Sequence, residues 1–196
     1  MINAYLIEEG KITSVAVFNS EEEVFDEFTL IDPSLGASVG DYYIDGEVIK
    51  DRGEAYGFVE DTYQITDEGL SLLKSGKAEQ LKQERKTLEL EDINGISVGK
   101  QSHRDDIDKY AVLLSQYENA SEEDREFYSS MVNSDGSINW TLSDDTVRAV
   151  TKEELQQVSL TFLIRKGTLM KQYQEALASL YDVEVTTEEQ IENITL

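Results

Sequence analysis

Short runs of β-branched and aromatic residues alternate with turn-forming residues at the start of the chain. Residues 4–7 and 12–18 are two such runs, and residues 8–11 between them predict a hairpin loop. A capping pair, Asn19 and Ser20, then precedes three glutamates, which the positive end of a helix dipole favours. The pattern therefore predicts a β-hairpin followed by a short helix through Phe28.

An Asp45-Gly46 pair between strand-forming residues gives the strongest local signal of this region. The pair suits a two-residue type I′ turn and predicts a second hairpin over residues 42–49. Residues 55–59 and 62–65 predict two more short strands. The first third of the chain is therefore expected to be rich in β-structure.

A helical segment is predicted from Thr66, a capping residue, to Leu88. It carries a cluster of basic side chains that the preceding residues lack, which is typical of a change between domains. Gly76 costs helix stability, by about 1 kcal/mol relative to alanine, and predicts a break or kink there. We interpret residues 66–90 as a linker helix.

The Asn94-Gly95 pair predicts a turn of a further hairpin within residues 88–98. Ser102 is expected to cap a helix, because apolar residues recur at helical spacing from Ile107 to Tyr117. Residues 121–132 predict a second, short helix. Residues 138–142 and 146–150 predict another hairpin, which presents Trp140.

The last predicted element is a long helix that begins with a capping box at Thr151. Arg165 and Gly167 interrupt its apolar stripe, which predicts curvature or a partner contact in the middle of the helix. The stripe either packs against the helix of residues 107–117 or contacts a partner or second copy, and the pattern does not choose between these. Its members are Leu155, Val158, Phe162, Leu169, Tyr173, Leu177 and Leu180.

Together these elements predict an α+β fold with three parts. Residues 1–65 form a β-rich module, residues 66–90 the linker helix, and residues 91–196 an α-rich module with small hairpins and the long terminal helix. The last residues, 186–196, are acidic and are expected to be mobile or to form one short helical turn.

Charge narrows the classes of function. The chain of 196 residues has 41 acidic and 17 basic side chains, and its formal net charge of -24 repels nucleic-acid phosphate and anionic lipid. We expect no nucleic-acid partner and no membrane partner. Cysteine is absent, which excludes disulfides and thiolate chemistry. The N-terminus has no signal-peptide pattern and no run is long enough to span a membrane, so a soluble protein is expected.

Three motifs that suggest chemistry are incomplete. The phosphate-loop motif fails at Gly95 to Lys100, because only three residues separate the glycines and Gln101 follows the lysine. A calcium loop around Asp135 fails because Met131 and Leu142 occupy ligand positions, so a β-turn with Gly136 at positive φ is predicted instead. His103 is the only histidine, which argues against hydrolase triads and multi-histidine metal sites. We expect no catalytic, cofactor or metal site.

The order of features from Gly95 to about Leu180 resembles an uncharacterised domain at the C-terminal end of many phage tail-fibre assembly and tail proteins. The features are the turn and short strand at residues 94–98, a helix, Trp140 before the Asp144-Asp145 turn, a strand at 147–150, and the helix start at 151–155. Residues 63–70, with Leu73 and Gly76, resemble a segment that recurs in the same group of proteins.

The resemblance implies a tail-fibre assembly chaperone, which binds a tail-fibre or other tail protein and aids its folding, trimerisation or attachment. Its implied location is the host cytoplasm during phage assembly, or the virion tail. Trp140, Tyr173, Leu177 and Leu180 are the expected partner-binding residues, and the last helix could also form a homo-oligomer. The alternatives are a virion structural protein, such as a baseplate or fibre connector, and an acidic inhibitor that mimics DNA.

Overall fold

The computed structural model describes residues 1–60 and 62–196 and shows the predicted α+β fold. The chain divides into two compact units, Met1–Leu73 and Lys74–Leu196, so the division falls within a helix. The first unit contains the β-rich region and the second contains most of the helices.

A five-stranded antiparallel sheet makes up most of the first unit, with the strands in the order β3-β1-β2-β4-β5. Its central hairpin was predicted, and so was the hairpin of β4 and β5. In both hairpins the two turn residues have positive φ. They are Glu9 (52°) with Gly10 (81°), and Asp45 (51°) with Gly46 (89°). The strands are β1 Ile2–Glu8, β2 Lys11–Phe18, β3 Phe28–Leu30, β4 Tyr42–Ile44 and β5 Glu47–Ile49.

The short helix predicted through Phe28 is wrong. Only a single 3₁₀ turn forms at Glu21–Glu23, and Phe28 begins strand β3, opposite Leu6 of β1. The ring of Phe18 makes edge-to-face contacts with Phe25 and Phe28, each at 5.7 Å between centroids. Pairing with β1 and aromatic packing therefore outweigh the helix-favouring glutamates.

A small apolar core lies on the sheet and is built around Tyr5, Ile12 and Ile31. Beside it Asp41 is buried, and its carboxylate accepts hydrogen bonds from the backbone N–H groups of Ser38 (2.9 Å) and Asp51 (3.2 Å). The ammonium of Lys50 lies 2.7 Å from the same carboxylate. Burial alone would raise the pKa of Asp41, but these donors together hold it below its ordinary value.

A third hairpin, β6 (Tyr56–Val59) with β7 (Thr62–Ile65), leads into helix α1 (Asp67–Glu89), as predicted. Gly69 lies in the first turn of α1 directly against the backbone of Ala55, where a Cβ atom would come within 1.9 Å of the carbonyl oxygen. The predicted break at Gly76 is wrong, since α1 runs through this residue without interruption.

The second unit has four further helices and one hairpin. The hairpin of β8 and β9 and the long helix α4 were predicted, and the capping box of α4 forms with both hydrogen bonds between Thr151 and Glu154. The predicted turn at Gly136 also forms, with φ at 80°. The elements are α2 Gln101–Asn119, α3 Glu122–Arg125, β8 Ile138–Thr141, β9 Val147–Val150, α4 Lys152–Leu180 and α5 Glu188–Glu192.

Three local predictions in this unit need correction. Ser102 lies inside the first turn of α2 and Lys100 is the N-terminal cap. The helix expected over residues 121–132 is shorter, because α3 ends at Arg125 and a single 3₁₀ turn follows at Glu126–Tyr128. The hairpin expected over residues 88–98 is reduced to one bridge between Ile93 and Ile96 around the Asn94-Gly95 turn, since α1 extends to Glu89.

Helix α4 packs on α2 along its N-terminal half. Leu155, Val158 and Phe162 join the main core, to which α2 contributes Ile107 and Leu114. Lys152 pairs with Glu118, and the hydroxyl of Ser159 donates to Asp108 at 2.8 Å. Of the two alternatives for the stripe, intramolecular packing against α2 therefore holds for this half.

The C-terminal half of α4 lies near α1 and the tail. The guanidinium of Arg85 lies 5.6 Å from the ring centroid of Tyr173, and Lys74 donates to the carbonyl oxygen of Asp182 at 3.1 Å. Lys77 donates to the carbonyl oxygen of Glu192 at 3.0 Å, and Ile191 of α5 is buried. The basic residues of α1 thus hold the acidic tail, which forms the predicted short helical turn.

Candidate functional site

The four residues expected to bind a partner occupy two different places in the second unit. Trp140 lies on β8 and packs against α2, whereas Tyr173, Leu177 and Leu180 lie in the last turns of α4. Leu180 is completely buried within the protein, so its side chain offers no surface to a partner. Tyr173 and Leu177 are half-buried.

Trp140 lines a groove of about 540 Å³ between α2, the segment after α3, and β8. Ile138 and Trp140 share one face of β8, because side chains of a strand alternate. The ring of Trp140 meets that of Tyr110 edge to face, with the centroids 5.7 Å apart and the planes at 85°. Two large aromatic side chains, in contact with each other, therefore line a concave surface.

One face of α2 forms a wall of this groove. His103, Asp106 and Tyr110 line it, and their spacing of three and four residues places them in one row along the helix. Tyr110 belongs to the apolar positions between Ile107 and Tyr117 that predict α2, and helical spacing alone indicates only a core position for it. The spacing of polar and aromatic residues at positions 103, 106 and 110 is the sequence signal that points to this row.

The opposite wall is a short segment that hydrogen bonds hold in place. The backbone N–H of Asn133 donates to Ser137 O at 2.7 Å, and its side-chain amide donates to Ser137 Oγ (3.0 Å) and Asn139 Oδ1 (3.2 Å). The hydroxyl and backbone N–H of Ser137 donate to Asp135 and hold the pKa of its carboxyl below the ordinary value. The turn that resembled a calcium loop thus shapes a groove wall.

Exposed apolar side chains border this wall. Met131 lines the groove and is 49% exposed, and Phe127, just before it, is 81% exposed. Large apolar side chains at this level of exposure are frequent where a protein binds another. The groove combines two aromatic rings, one exposed methionine side chain and several amide and hydroxyl groups, which suits a polypeptide segment.

A serine-histidine contact lies in the same groove. His103 Nδ1 and Ser97 Oγ are 3.1 Å apart, a contact that the sequence did not indicate. Asp106 also lines the groove but forms no hydrogen bond to His103, so the carboxylate that would orient the imidazole in a catalytic triad is not in place. The pair fixes the start of α2 against the preceding loop.

In residues 1–60 and 62–196, no group of three or more histidine, aspartate or glutamate side chains is arranged to hold a metal ion. No helix within the same ranges is long and apolar enough to cross a membrane.

No family model, curated protein or solved structure matches the chain.

Proposed function

We propose that the protein binds a partner polypeptide through the groove at Trp140 and acts as an assembly chaperone for the tail fibre of a tailed bacteriophage. The groove is the observation that supports binding, because the contacting rings of Trp140 and Tyr110 line it together with the exposed Met131. Aromatic residues in a concave site commonly supply most of the binding energy of an interface.

The choice of a tail fibre as partner is supported by the resemblance of residues 95–180 to phage tail-fibre assembly proteins. Trp140, one of the residues that carry this resemblance, lines the groove. The net charge of -24 also suits a chaperone, because like charges keep chaperone-bound complexes from associating with each other. An unassembled fibre exposes apolar patches and strand edges, which a bound acidic protein would shield.

The test is co-expression of this chain with the fibre gene nearest to it in its genome. We expect soluble fibre trimers in the presence of the protein and insoluble fibre in its absence. A fibre that folds alone, together with a fixed number of copies of this protein in purified particles, would instead make it a virion structural protein.

A matched pair of variants assigns the binding to the groove. Met131→Glu and Val147→Glu each place a carboxylate at an exposed apolar position, 49% and 62% exposed respectively. Met131 lines the groove, and Val147 lies on the neighbouring strand β9 and does not line it. We expect Met131→Glu to abolish co-purification of the fibre and Val147→Glu to leave it unchanged.

Trp140 also provides a direct signal of binding, because it is the only tryptophan of the chain. Titration with fibre fragments that contain no tryptophan should shift its fluorescence emission as the groove is filled. An unchanged emission with a fragment that does co-purify would place the binding site elsewhere on the protein.

A further inference from the structure

The groove at Trp140 contains one carboxylate, that of Asp106, which is exposed on the wall formed by α2. Within residues 1–60 and 62–196 this carboxylate forms no ion pair and accepts no hydrogen bond. Two other carboxylates of α2 do have partners, since Asp105 accepts from Gln101 at 2.7 Å and Asp108 from Ser159 at 2.8 Å. The carboxylate in the groove is therefore available to a ligand.

Basic side chains beside the groove are engaged elsewhere. Among the described residues that line the groove there is no lysine or arginine. Arg148 is the cross-strand neighbour of Trp140, but its guanidinium lies 2.8 Å from the carboxylate of Glu154. The ammonium of Lys109 lies 5.9 Å from the ring centroid of Tyr110 and forms no ion pair with Asp106. The chain itself therefore supplies no ion pair for this carboxylate.

The aromatic rings of the groove lie close to Asp106. Tyr110 follows it by four residues, so the two side chains are one turn apart on the same side of α2. Tyr110 in turn contacts Trp140, with the ring centroids 5.7 Å apart. Aromatic rings attract cations, tryptophan most strongly, and a carboxylate adds a charge-assisted hydrogen bond. An indole ring near an unpaired carboxylate therefore suits a cationic side chain.

We propose that the groove recognises an arginine of the bound polypeptide, whose guanidinium stacks on Trp140 and pairs with Asp106. Arginine fits better than lysine, because a planar guanidinium can lie on a ring and still donate its N–H groups to a carboxylate. The net charge of -24 also favours a basic segment over an acidic one. This inference rests on the proposed function for its partner, the fibre polypeptide, and specifies which side chain of that partner is recognised.

The wall opposite α2 suits the apolar part of the same segment. Met131 is exposed there and lines the groove. The methylene groups of an arginine, and the apolar residues beside it, can pack on this side chain while the guanidinium reaches Asp106. A carboxylate in place of Met131 would lose these contacts and would be desolvated by the segment. Met131→Glu should therefore weaken binding even of a basic partner.

The first test uses the full-length chain and three tripeptides, acetyl-Gly-X-Gly-amide with arginine, glutamine or leucine at X. Each is added to about 10 mM, because a single side chain binds weakly. Trp140 is the only tryptophan, so its indole N–H gives one signal in the NMR spectrum. We expect the arginine peptide to shift this signal and the other two to leave it in place. An equal or larger shift with glutamine or leucine, or no shift with any peptide, would overturn the proposal.

A matched pair of variants assigns the effect to Asp106. Asp106→Asn and Asp105→Asn each remove one negative charge from an exposed position of α2, but only Asp106 lines the groove. We expect Asp106→Asn to weaken binding of the arginine peptide about five- to tenfold, and Asp105→Asn to weaken it less than about twofold. Equal effects of the two variants would indicate attraction by the overall charge alone and would overturn the proposal.

The same two variants in the fibre co-purification assay separate this inference from the proposed function. Fibre that co-purifies equally well with the wild type and with Asp106→Asn would overturn the arginine contact, although the protein would still bind the fibre. Fibre that does not co-purify with the wild type would contradict the chaperone function, whereas the peptide titration would still decide whether the groove prefers arginine.

Discussion

The substitution Gly69→Ala should destabilise the first unit, although alanine is the better helix former. The added Cβ would lie 1.9 Å from the carbonyl oxygen of Ala55 and 2.6 Å from its Cα, far inside ordinary contact distance. Because the contacted atoms belong to the main chain of Ala55, no side-chain rotation can relieve the overlap. The start of α1 and the backbone of Ala55, just before β6, must separate.

The expected loss of folding free energy follows from the contacts that such a separation disturbs. Overpacking costs about 1–3 kcal/mol, and loss of the 3.1 Å hydrogen bond from Thr66 N to Ala55 O costs about 1 kcal/mol more. The gain in helix propensity is at most about 1 kcal/mol. We therefore expect a net loss of about 2 kcal/mol in the free energy of unfolding.

Gly76→Ala is the matched control, since it makes the same change seven residues later in the same helix. Gly76 has no atom within 4 Å of the position of a Cβ, so only the helix propensity changes and the variant should gain about 0.5–1 kcal/mol. Urea unfolding followed by circular dichroism measures both variants, and amide exchange in β6 and β7 reports the site directly. A Gly69→Ala variant as stable as the wild type, or two variants that change stability in the same direction, would contradict the predicted clash with Ala55.

Three further predictions concern other sites. Asp41→Asn removes the carboxylate that pairs with Lys50 and should cost about 2 kcal/mol at neutral pH. Because folding lowers the pKa of Asp41, its contribution is fully present above the ordinary pKa and is lost as the pH falls through the folded value, so the cost should shrink in acid unfolding titrations. Thr151→Ala should cost about 1 kcal/mol in urea unfolding, because it removes the cap of α4; no change would show that this capping box contributes nothing. Leu180→Ala should cost about 2–5 kcal/mol in thermal unfolding and Leu177→Ala less, since only Leu180 is completely buried; equal costs would contradict its placement in the core.

Local signals in the sequence predicted those parts of the fold that short-range geometry determines. Asp45-Gly46 and Asn94-Gly95 adopt positive φ, as their residue types favour, and the capping box at Thr151 starts α4 where expected. Strand β3 was not predicted, because its pairing with β1 joins residues distant in the sequence. The break predicted at Gly76 was also wrong, because a single residue that disfavours the helix does not break a long one.

The candidate site was predicted only in part, for the same reason. Trp140 was expected to contact a partner, but the groove exists because the segment around Met131 and Asn133 folds back opposite α2. The sequence pattern predicted one apolar face for α4. The structure also shows exposed apolar side chains on the opposite face, at Leu160, Leu163 and Ile164. Hydrophobic periodicity identifies an apolar face of a helix. It does not show whether the rest of the chain covers that face, because this depends on tertiary packing.

The two edge strands of the five-stranded sheet, β3 and β5, are each only three residues long. A sheet recruits foreign strands through a long row of free backbone N–H and C=O groups, and edges this short offer too few of them for stable pairing. In the proposed function the protein works beside unfolded, β-rich fibre chains, which present many such strands. Edges this short would then keep the N-terminal unit out of aggregates of those fibre chains.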